Sequence, residues 1–394
     1  MTADLQPLDV ERADYRSHLG YYTGQERLHS PVLGQVLDAV AAARYEHSAA
    51  DVRAALRRPH RTVVDLAALL SPAASELSDE VAAAASRATE EHFGRRVRLF
   101  TPLYLANYCG NACTYCGFAA HRRIRRSRLS PAAVEAELDA ISATGLDEVL
   151  ILTGESPKFS SVAYIADAVA SASGRFARVG VEVQPVNTDE YAILRAAGAS
   201  SVSVYQETYD PDAYDLLHPG GRKRSYPYRF ESQERALAGG MAGVGFGALL
   251  GLADWRRDAL AAVVHAARVA AGHPSAEISL SCPRLRPTGV DPGLDSGGVT
   301  EDVLFQILCA YRLCLPAASI TVSTRETASF RDRCLGVVAT KLSAGVSTEV
   351  GGHAASAGDA AATCETGDAQ FEIADTRTVA ELREHLRARG YEVQ

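Results

Sequence analysis

Residues 103–118 read LYLANYCGNACTYCGF, and this stretch decides how the rest of the chain is interpreted. Cys109, Cys113 and Cys116 have CxxxCxxC spacing and follow an alternating apolar run at 97–105, which predicts a loop leaving a β-strand. Three thiolates this close can bind three irons of a [4Fe-4S] cluster and leave the fourth iron without a protein ligand. A structural zinc site usually has a fourth ligand and a second CxxC pair, which the sequence lacks. The spacing therefore favours a cluster, and thiols with only a packing role are the alternative.

The overall charge excludes some classes of function. The 394 residues carry a formal net charge of −8, so no global positive field exists to attract nucleic acid or a membrane surface. Neither a secretory signal nor a bilayer-spanning apolar run is visible in the sequence. We therefore expect a cytoplasmic protein that binds neither nucleic acid nor membranes.

A basic run at residues 121–128, HRRIRRSR, stands out against this acidic background. The favoured interpretation is a solvated cover for the cysteine loop, and the alternative is a docking surface for an acidic partner or electron donor. Five further cysteines have no common metal-ligand spacing and are expected to stay thiols in a reducing compartment, with Cys309 and Cys314 in the core of a helix. These five are Cys282, Cys309, Cys314, Cys334 and Cys364.

The order of elements predicts an α/β barrel with extensions at both ends. Residues 1–96 have helical periodicity, with helices expected at 38–42, 50–56, 62–70 and 76–91. From residue 97 to 345 strand and helix patterns alternate as eight βα units, which indicates a (β/α)8 barrel. Residues 346–394 are expected to form a mobile loop and a final helix at 381–389, packing on the barrel. The predicted strands are 97–105, 148–152, 179–184, 201–205, 243–250, 277–280, 319–323 and 337–342, and the predicted barrel helices include 130–143, 189–197, 230–239, 254–271 and 300–315.

Polar side chains cluster at the predicted carboxyl ends of the strands. Glu155 follows the second strand, Gln206 and Glu207 follow the fourth, Arg284 follows the sixth and Arg325 follows the seventh. Chemistry in such barrels lies at this end, so we expect a site at the mouth. An arginine binds a carboxylate through two parallel hydrogen bonds, and Arg325 would be hard to bury without an anionic partner. Arg325 is therefore the first candidate for binding an anionic substrate group.

Several segments together resemble one family. The cysteine stretch, LTGESPKF, VEVQP, VYQETY, GALLGL, PRLRP, STRE, SAGVSTEVGGH and QFEIADTR resemble the 2-iminoacetate synthase family of the radical S-adenosylmethionine (SAM) superfamily, over residues 97–393. The resemblance implies a radical SAM TIM-like barrel that cleaves the Cα–Cβ bond of L-tyrosine. The products would be 2-iminoacetate (dehydroglycine) and p-cresol, with SAM giving 5′-deoxyadenosine and methionine, for thiamine thiazole formation.

The resemblance also implies roles for individual residues. A [4Fe-4S] cluster would be held by Cys109, Cys113 and Cys116, and SAM would be the second cofactor. The carboxylate of tyrosine would bind Arg325 with help from Ser343, and Tyr104 would lie near its amino group. Residues implied or suggested to contact SAM are Tyr115 at the adenine, Glu155 at the amino group, Gln206 and Glu207 at the ribose or the methionine part, and Arg284, which could instead contact Glu326.

Partners and alternatives follow from the same resemblance. A flavodoxin or ferredoxin would supply electrons, and a complex with thiazole synthase is possible in such a pathway. The runner-up is a tryptophan-type lyase of natural-product biosynthesis. The related hydrogenase maturase carries a second cysteine cluster near its C-terminus, where this chain has only Cys364, and a non-catalytic scaffold would not need Glu155 and Arg325. We expect His353 to be a surface residue without a catalytic role.

Overall fold

Eight parallel strands close into a barrel in the computed structural model, which describes residues 18–287, 296–356 and 366–394. Neighbouring strands pair in sequence order from β2 to β8, β8 pairs with β1, and β1 pairs with β2 to close the barrel. The strands are β1 (Arg96–Ala106), β2 (Glu148–Thr153), β3 (Arg178–Glu182), β4 (Ser201–Ser203), β5 (Gly243–Phe246), β6 (Glu277–Ser281), β7 (Ser319–Val322) and β8 (Lys341–Ser343). The predicted (β/α)8 barrel is confirmed, with strand limits shifted by a few residues.

Helices cover the outside of the barrel and precede it. They are α1 (Val32–Ala42), α2 (Ala49–Arg57), α3 (Val63–Leu69), α4 (Pro72–Glu76), α5 (Ser78–Phe93), α6 (Pro131–Ser142), α7 (Val162–Ser173), α8 (Thr188–Ala196), α9 (Pro211–Leu217), α10 (Tyr226–Phe230), α11 (Ser232–Ala238), α12 (Trp255–Gly272), α13 (Glu301–Cys314), α14 (Ala328–Cys334), α15 (Gly352–Ser356) and α16 (Val379–Ala388). The helix predicted at 230–239 is confirmed as α11, and a short helix that was not predicted, α10, precedes it.

The strands are apolar because helices cover them on one side and the barrel interior on the other. In β1 the side chains of Val97, Leu99, Leu103 and Leu105 are all buried. Helix α1 packs on α12 and α5 packs on α13, so the N-terminal helices share one hydrophobic core with the barrel. Cys309 is buried within α13, as predicted, and Cys314 packs against the same core. The division of the chain at residues 96 and 345 stays a prediction.

A ninth strand, β9 (Glu392–Val393), was not predicted. It pairs in parallel with Arg96 and Val97 at the amino end of β1, at the opposite end of the barrel from the cysteine loop. The C-terminal segment thus passes the mouth, where Gln370 and Phe371 lie, and ends under the barrel.

The loop predicted after residue 346 is partly wrong. Residues Gly352–Ser356 form α15, whose backbone N–H groups at His353 and Ala354 donate to the buried carboxylate of Glu137 at 3.2 and 2.7 Å. His353 is half-buried, and its Nε2 lies 2.9 Å from the carbonyl oxygen of Pro102 in β1, so it is not a surface histidine. Cys364 and the rest of the predicted mobile stretch at 357–362 lie outside the described residues. No helix of the described chain is long and apolar enough to cross a membrane.

Candidate active site

The loop that carries the three cysteines leaves the carboxyl end of β1 and is pinned by backbone hydrogen bonds. Gly110 N–H donates to the Glu155 carbonyl after β2 at 2.9 Å, and Ala112 N–H donates to the Gly220 carbonyl at 3.0 Å. Gly154 allows the close approach after β2, since a Cβ there would lie 2.3 Å from the carbonyl oxygen of Tyr108. Two distant parts of the chain therefore fix the cysteine loop at the barrel mouth.

Arg126 holds the far side of the same loop. Its guanidinium donates to the carbonyls of Asn107, Phe118 and Ala119 at 2.5, 2.7 and 2.7 Å. Burial lowers its pKa, an effect that thiolates at Cys109 and Cys116 oppose. The basic run is thus more than a solvated cover, because one of its arginines braces the cysteine loop from within. His121, Arg123, Arg125 and Arg128 are exposed, as that interpretation expected.

The three thiols fit a cluster better than a single metal ion. Cys109, Cys113 and Cys116 are free cysteines, and burial raises the pKa of Cys109 to about 11, with Glu155 adding to the effect. Burial also raises the pKa of Cys113, so metal binding must displace protons from these thiols. In the part of the chain that the structure describes, no three His, Cys, Asp or Glu side chains converge on one ion. Convergence is not needed for a cluster, because each thiolate binds a different iron.

Glu155 and Glu207 are joined by one buried arginine. Arg229 of α10 donates to Glu155 Oε1 at 2.8 Å and to Glu207 Oε1 at 3.2 Å. Asn111 of the cysteine loop donates to the second oxygen of Glu155 at 2.8 Å. The Glu155 carboxylate is therefore fixed between the second strand and the cysteine loop.

Lys223 completes this network and was not predicted. Its ammonium lies 2.6 Å from Glu207 Oε1. Burial alone would raise the pKa of Glu207, but Lys223 and Arg229 hold it below the usual value, so this carboxylate stays charged. Glu207 also has a φ of +73°, a left-handed conformation that is rare outside glycine and marks a constrained loop after β4.

Two connected cavities occupy the mouth. The larger, which we call the mouth cavity, has a volume of about 170 Å³ and takes lining residues from all eight strands or their following loops. The smaller, the cysteine cavity, has about 90 Å³ and is bounded by Cys109, Cys113, Cys116, Glu155 and Arg229. Residues that line both are Tyr104, Cys116, Leu152, Glu182, Tyr205, Glu207, Lys223 and Gln370. A cofactor beside the cysteines would therefore adjoin a second molecule in the mouth cavity.

Arg325 lines the mouth cavity, as predicted from its place after β7. Its guanidinium lies 3.4 Å from the centre of the Phe371 ring, and within the described residues it has no ion pair with a carboxylate. Burial lowers its pKa, although nearby Tyr104, Glu182 and Glu207 oppose the shift. A half-buried arginine without an anionic partner is suited to bind a carboxylate from a ligand.

Comparisons with known proteins agree with this site. Residues 103–262 match the model of the Radical SAM superfamily, and residues 281–392 match the Biotin and Thiamin Synthesis associated domain. The 2-iminoacetate synthase of Salmonella typhimurium is 37% identical over 310 residues, which cover 78% of this chain and 81% of that protein. The 2-iminoacetate synthase of Escherichia coli is 38% identical over the same shares of the two chains. This chain belongs to the 2-iminoacetate synthase family.

Solved structures show the same architecture. The structure of HydG, a maturase of the [FeFe]-hydrogenase, matches with a TM-score of 0.80 and 26% identity, covering 93% of this chain and 80% of that chain. The family membership and radical SAM barrel predicted from the motifs are both confirmed.

The residues predicted to surround the substrate of a 2-iminoacetate synthase do meet in the mouth cavity. Tyr104 is buried, and its hydroxyl donates to Gln370 Oε1 at 2.8 Å. Ser343 is the last residue of β8 rather than a residue after it, and its hydroxyl oxygen accepts from the Thr324 N–H at 2.9 Å. Ser343 also lines the mouth cavity, as Arg325 does. Their individual roles stay predictions.

The residues predicted to contact SAM do not all line the same cavity. Tyr115 lines the mouth cavity and its hydroxyl lies 2.8 Å from His218 Nε2, while Glu155 and Glu207 line the cysteine cavity. Gln206 lines neither cavity; its amide nitrogen lies 3.5 Å from the Tyr226 carbonyl oxygen, and its Oε1 is buried without a partner in the described chain. Gln206 therefore lies behind the lining of both cavities, and its contact with SAM stays a prediction.

Arg284 also lies outside both cavities. Its guanidinium forms a buried ion pair with Glu326 and donates to the Val299 carbonyl at 2.9 Å. Of the two contacts suggested for Arg284, the structure selects Glu326. Arg286, two residues later, lines the mouth cavity instead, so the two arginines have different surroundings.

Several site residues were missed from the sequence, including Asn111 and Gln370, which hold Glu155 and Tyr104. Lys223 and Arg229 lie in a segment with no strand-end signal, and Phe371 lies in the tail. Glu182 ends β3, and the signal that could have identified it is an acidic residue inside the apolar run VGVEV.

Proposed function

We propose that this protein is a tyrosine lyase. It cleaves the Cα–Cβ bond of L-tyrosine to 2-iminoacetate and p-cresol and consumes SAM, which yields 5′-deoxyadenosine and methionine, for thiamine thiazole formation. The observation that carries the proposal is the similarity to two 2-iminoacetate synthases over 78% of the chain.

The donor set fits the cofactors that this reaction needs. Cys109, Cys113 and Cys116 would hold three irons of a [4Fe-4S] cluster, and three ligands leave one iron free for SAM. When bound, the cluster and SAM supply the radical that removes a hydrogen atom from the substrate amino group. The positive charges of Arg126 and Lys223 lie near the cysteines and would offset the negative charge of thiolate ligands.

On the cofactor side, the protein supplies fixed carboxylates. Asn111 and Arg229 hold the two oxygens of Glu155, so this group is oriented before a ligand arrives. A carboxylate held in this way suits the ammonium group of the methionine part of SAM. Tyr115 offers an aromatic surface for the adenine, and Glu207 lies at the boundary of the two cavities.

On the substrate side, Arg325 is assigned to the carboxylate of tyrosine, and the Ser343 hydroxyl adds a neutral donor. Tyr104 is held in one orientation by Gln370, beside the predicted position of the amino group. Because these groups come from β1, β7 and β8, the barrel fixes the amino acid in one register against the cofactor. Phe371 and Gln370 from the tail help to exclude water from the cavity.

Partners belong to the same proposal. A low-potential electron donor such as flavodoxin or ferredoxin is required, and the exposed arginines Arg123 and Arg125 beside the cysteine loop are compatible with an acidic donor. A complex with thiazole synthase would shorten the path of the unstable imine.

Product identification tests the proposal. The reconstituted enzyme is incubated without oxygen with SAM, a reductant, and tyrosine and tryptophan together, and the products are separated by mass spectrometry. We expect p-cresol and glyoxylate, the hydrolysis product of 2-iminoacetate, in equal amounts. Consumption of tryptophan with tyrosine left intact would favour the tryptophan-type lyase, and 5′-deoxyadenosine with neither amino acid consumed would reject both functions.

A further inference from the structure

Glu182 is the carboxylate of the mouth that the mechanism above does not use. It is the last residue of β3. Its register partner on β2 is Leu152, and the register partner of Leu152 on β1 is Tyr104. All three side chains line the mouth cavity, so they form one layer of its wall. Within the described chain the Glu182 carboxylate accepts no hydrogen bond and forms no ion pair.

The surroundings of Glu182 explain why it has no protein partner. Two cations of the mouth are already paired with other carboxylates. Lys223 pairs with Glu207, and Arg229 pairs with both Glu155 and Glu207. Arg325 attracts Glu182 across the cavity but does not approach within ion-pair distance. A carboxylate left unpaired in a buried site costs free energy unless a ligand compensates it.

Among the described residues, the mouth cavity therefore presents two arginines without an ion pair, Arg325 and Arg286, and one such carboxylate, Glu182. An α-amino acid at neutral pH carries the complementary charges on one carbon, an ammonium and a carboxylate. We propose that Glu182 binds the α-ammonium group of the substrate while Arg325 binds its carboxylate. This inference rests on the proposed function and adds a specificity-determining residue to it.

Other acidic residues of the mouth are less suited to this task. Glu155 lines the cysteine cavity but not the mouth cavity, and Glu207 is already paired with Lys223 and Arg229. Glu182 also borders the cysteine cavity, so an ammonium bound to it would lie toward the cofactor. The nitrogen that loses hydrogen in the proposed reaction would thus be held on the correct side of the substrate.

Analogues that lack one charge test this assignment directly. Tyramine keeps the ammonium but has no carboxylate, and 3-(4-hydroxyphenyl)propionate keeps the carboxylate but has no ammonium. Dissociation constants for tyrosine and both analogues are measured by equilibrium dialysis with the anaerobic, cluster-loaded, SAM-bound enzyme. We expect Glu182→Gln to weaken tyrosine and tyramine about ten- to a hundredfold and to leave the propionate within about twofold. Arg325→Lys should give the reverse pattern, weakening tyrosine and the propionate but not tyramine.

Two further variants keep the test decisive. Glu182→Asp retains the charge on a shorter side chain, so it should give smaller losses for tyrosine and tyramine only. Glu90→Gln removes an exposed carboxylate of α5 and should change none of the three constants. Equal weakening of all three ligands in the Glu182 variants would overturn the proposal, and so would unchanged tyramine binding.

The proposed function and the ammonium subsite are tested by different measurements. Absence of p-cresol from the wild-type enzyme would reject the tyrosine lyase, whereas the pattern of analogue binding reports only on the ammonium subsite.

Discussion

Single charged side chains carry most of the specificity proposed for this site. Arg325, Arg286 and Glu182 have no ion pair among the described residues, whereas Glu155, Glu207, Arg229 and Lys223 neutralise one another. Buried charges that are already paired mainly fix geometry, and buried charges that are unpaired are available for a ligand. The two kinds of residue should respond differently to substitution.

Substitution of Arg325 should separate radical generation from substrate cleavage. Arg325→Lys keeps the charge but loses the planar two-point contact with a carboxylate, worth about 1.5–3 kcal/mol, or roughly ten- to over a hundredfold in binding. The variant should still bind the cluster and SAM and form 5′-deoxyadenosine slowly, with little p-cresol. The measurement is the ratio of p-cresol to 5′-deoxyadenosine at saturating SAM.

Arg325→Ala should show a deeper loss of that ratio, and Arg87→Ala, at an exposed position of α5, should show none. A wild-type ratio and unchanged tyrosine affinity in Arg325→Ala would instead assign the carboxylate to Arg286, the other arginine in the cavity wall.

The pH dependence should report on Glu182. Burial and the Glu207 carboxylate raise the pKa of Glu182 to about 7, against the opposing effects of Arg325, Arg229 and Lys223. The side chain is therefore neutral below that pH and charged above it, and only the charged form attracts an ammonium group. The value of kcat/KM for tyrosine should fall as pH decreases through about 7, since this parameter reflects the free enzyme. The groups that face Glu182 are Tyr104, Tyr205, Glu207, Lys223, Arg229 and Arg325.

In Glu182→Gln, kcat/KM for tyrosine should no longer decrease as the pH is lowered through about 7. It should instead be low at every pH. An unchanged acidic limb in this variant would assign the titration to another group.

At the scale of elements, the cysteine loop depends on segments far away in sequence. Asn111 accepts from the Lys223 N–H at 2.9 Å and donates to Glu155, so the loop links the end of β2 to the segment before α10. Gly221 lies against this loop with a φ of +94°, and a Cβ there would lie 2.3 Å from Asn111 Oδ1. Only glycine fits that position without displacing the loop.

The loop should bind its cluster through three cysteines alone. Replacement of Cys109, Cys113 or Cys116 by Ala should abolish the brown chromophore and SAM cleavage, because each thiolate holds a separate iron. Iron and sulfide content and the visible absorption spectrum are measured after anaerobic reconstitution, and the wild type should hold one cluster per chain.

Cys364→Ala serves as the matched control, since it removes a cysteine outside the motif. Loss of the cluster in that variant would show that the ligand set is different.

At the scale of the whole molecule, the two ends of the barrel have separate tasks. The carboxyl ends of the strands carry the cavities, and the amino end of β1 is covered by the C-terminal strand β9. Hydrogen bonds tie residues 392–394 to β1: Glu392 N–H to Arg95 O at 2.9 Å, Gln394 N–H to Val97 O at 3.0 Å, and Leu99 N–H to Gln394 O at 2.8 Å.

Removal of residues 390–394 should lower stability without damaging the site. Three backbone hydrogen bonds at about 0.5–1.5 kcal/mol each predict a loss of roughly 1.5–4.5 kcal/mol in the free energy of unfolding. Urea denaturation followed by circular dichroism measures the loss, and cluster content and SAM cleavage should be retained at low temperature. Loss of the cluster in a folded truncated protein would contradict the separation of the two ends.

The order of the helices and strands, and the location of the site at the barrel mouth, could be predicted from the sequence alone. Alternation between period-2 and helical patterns is a local property of the chain, so all eight strands, most helices and the cysteine loop could be predicted. The position of Arg325 followed too, because a parallel barrel brings every strand end to the same mouth. The elements that were missed are short ones such as α10, α15 and β9, where a few residues give too little pattern.

The ion pairs between buried charged side chains became visible only in the folded structure. Arg284 and Arg325 look alike in sequence, yet Arg284 is neutralised by Glu326 and Arg325 faces the cavity without a carboxylate partner in the described chain. Glu182 ends β3 and Glu207 follows β4, and of the two only Glu207 forms ion pairs among the described residues. The physical reason is that periodicity reveals which side chains are buried, whereas the neutralising partner of a buried charge comes from a strand or helix distant in sequence and is fixed only when the barrel closes.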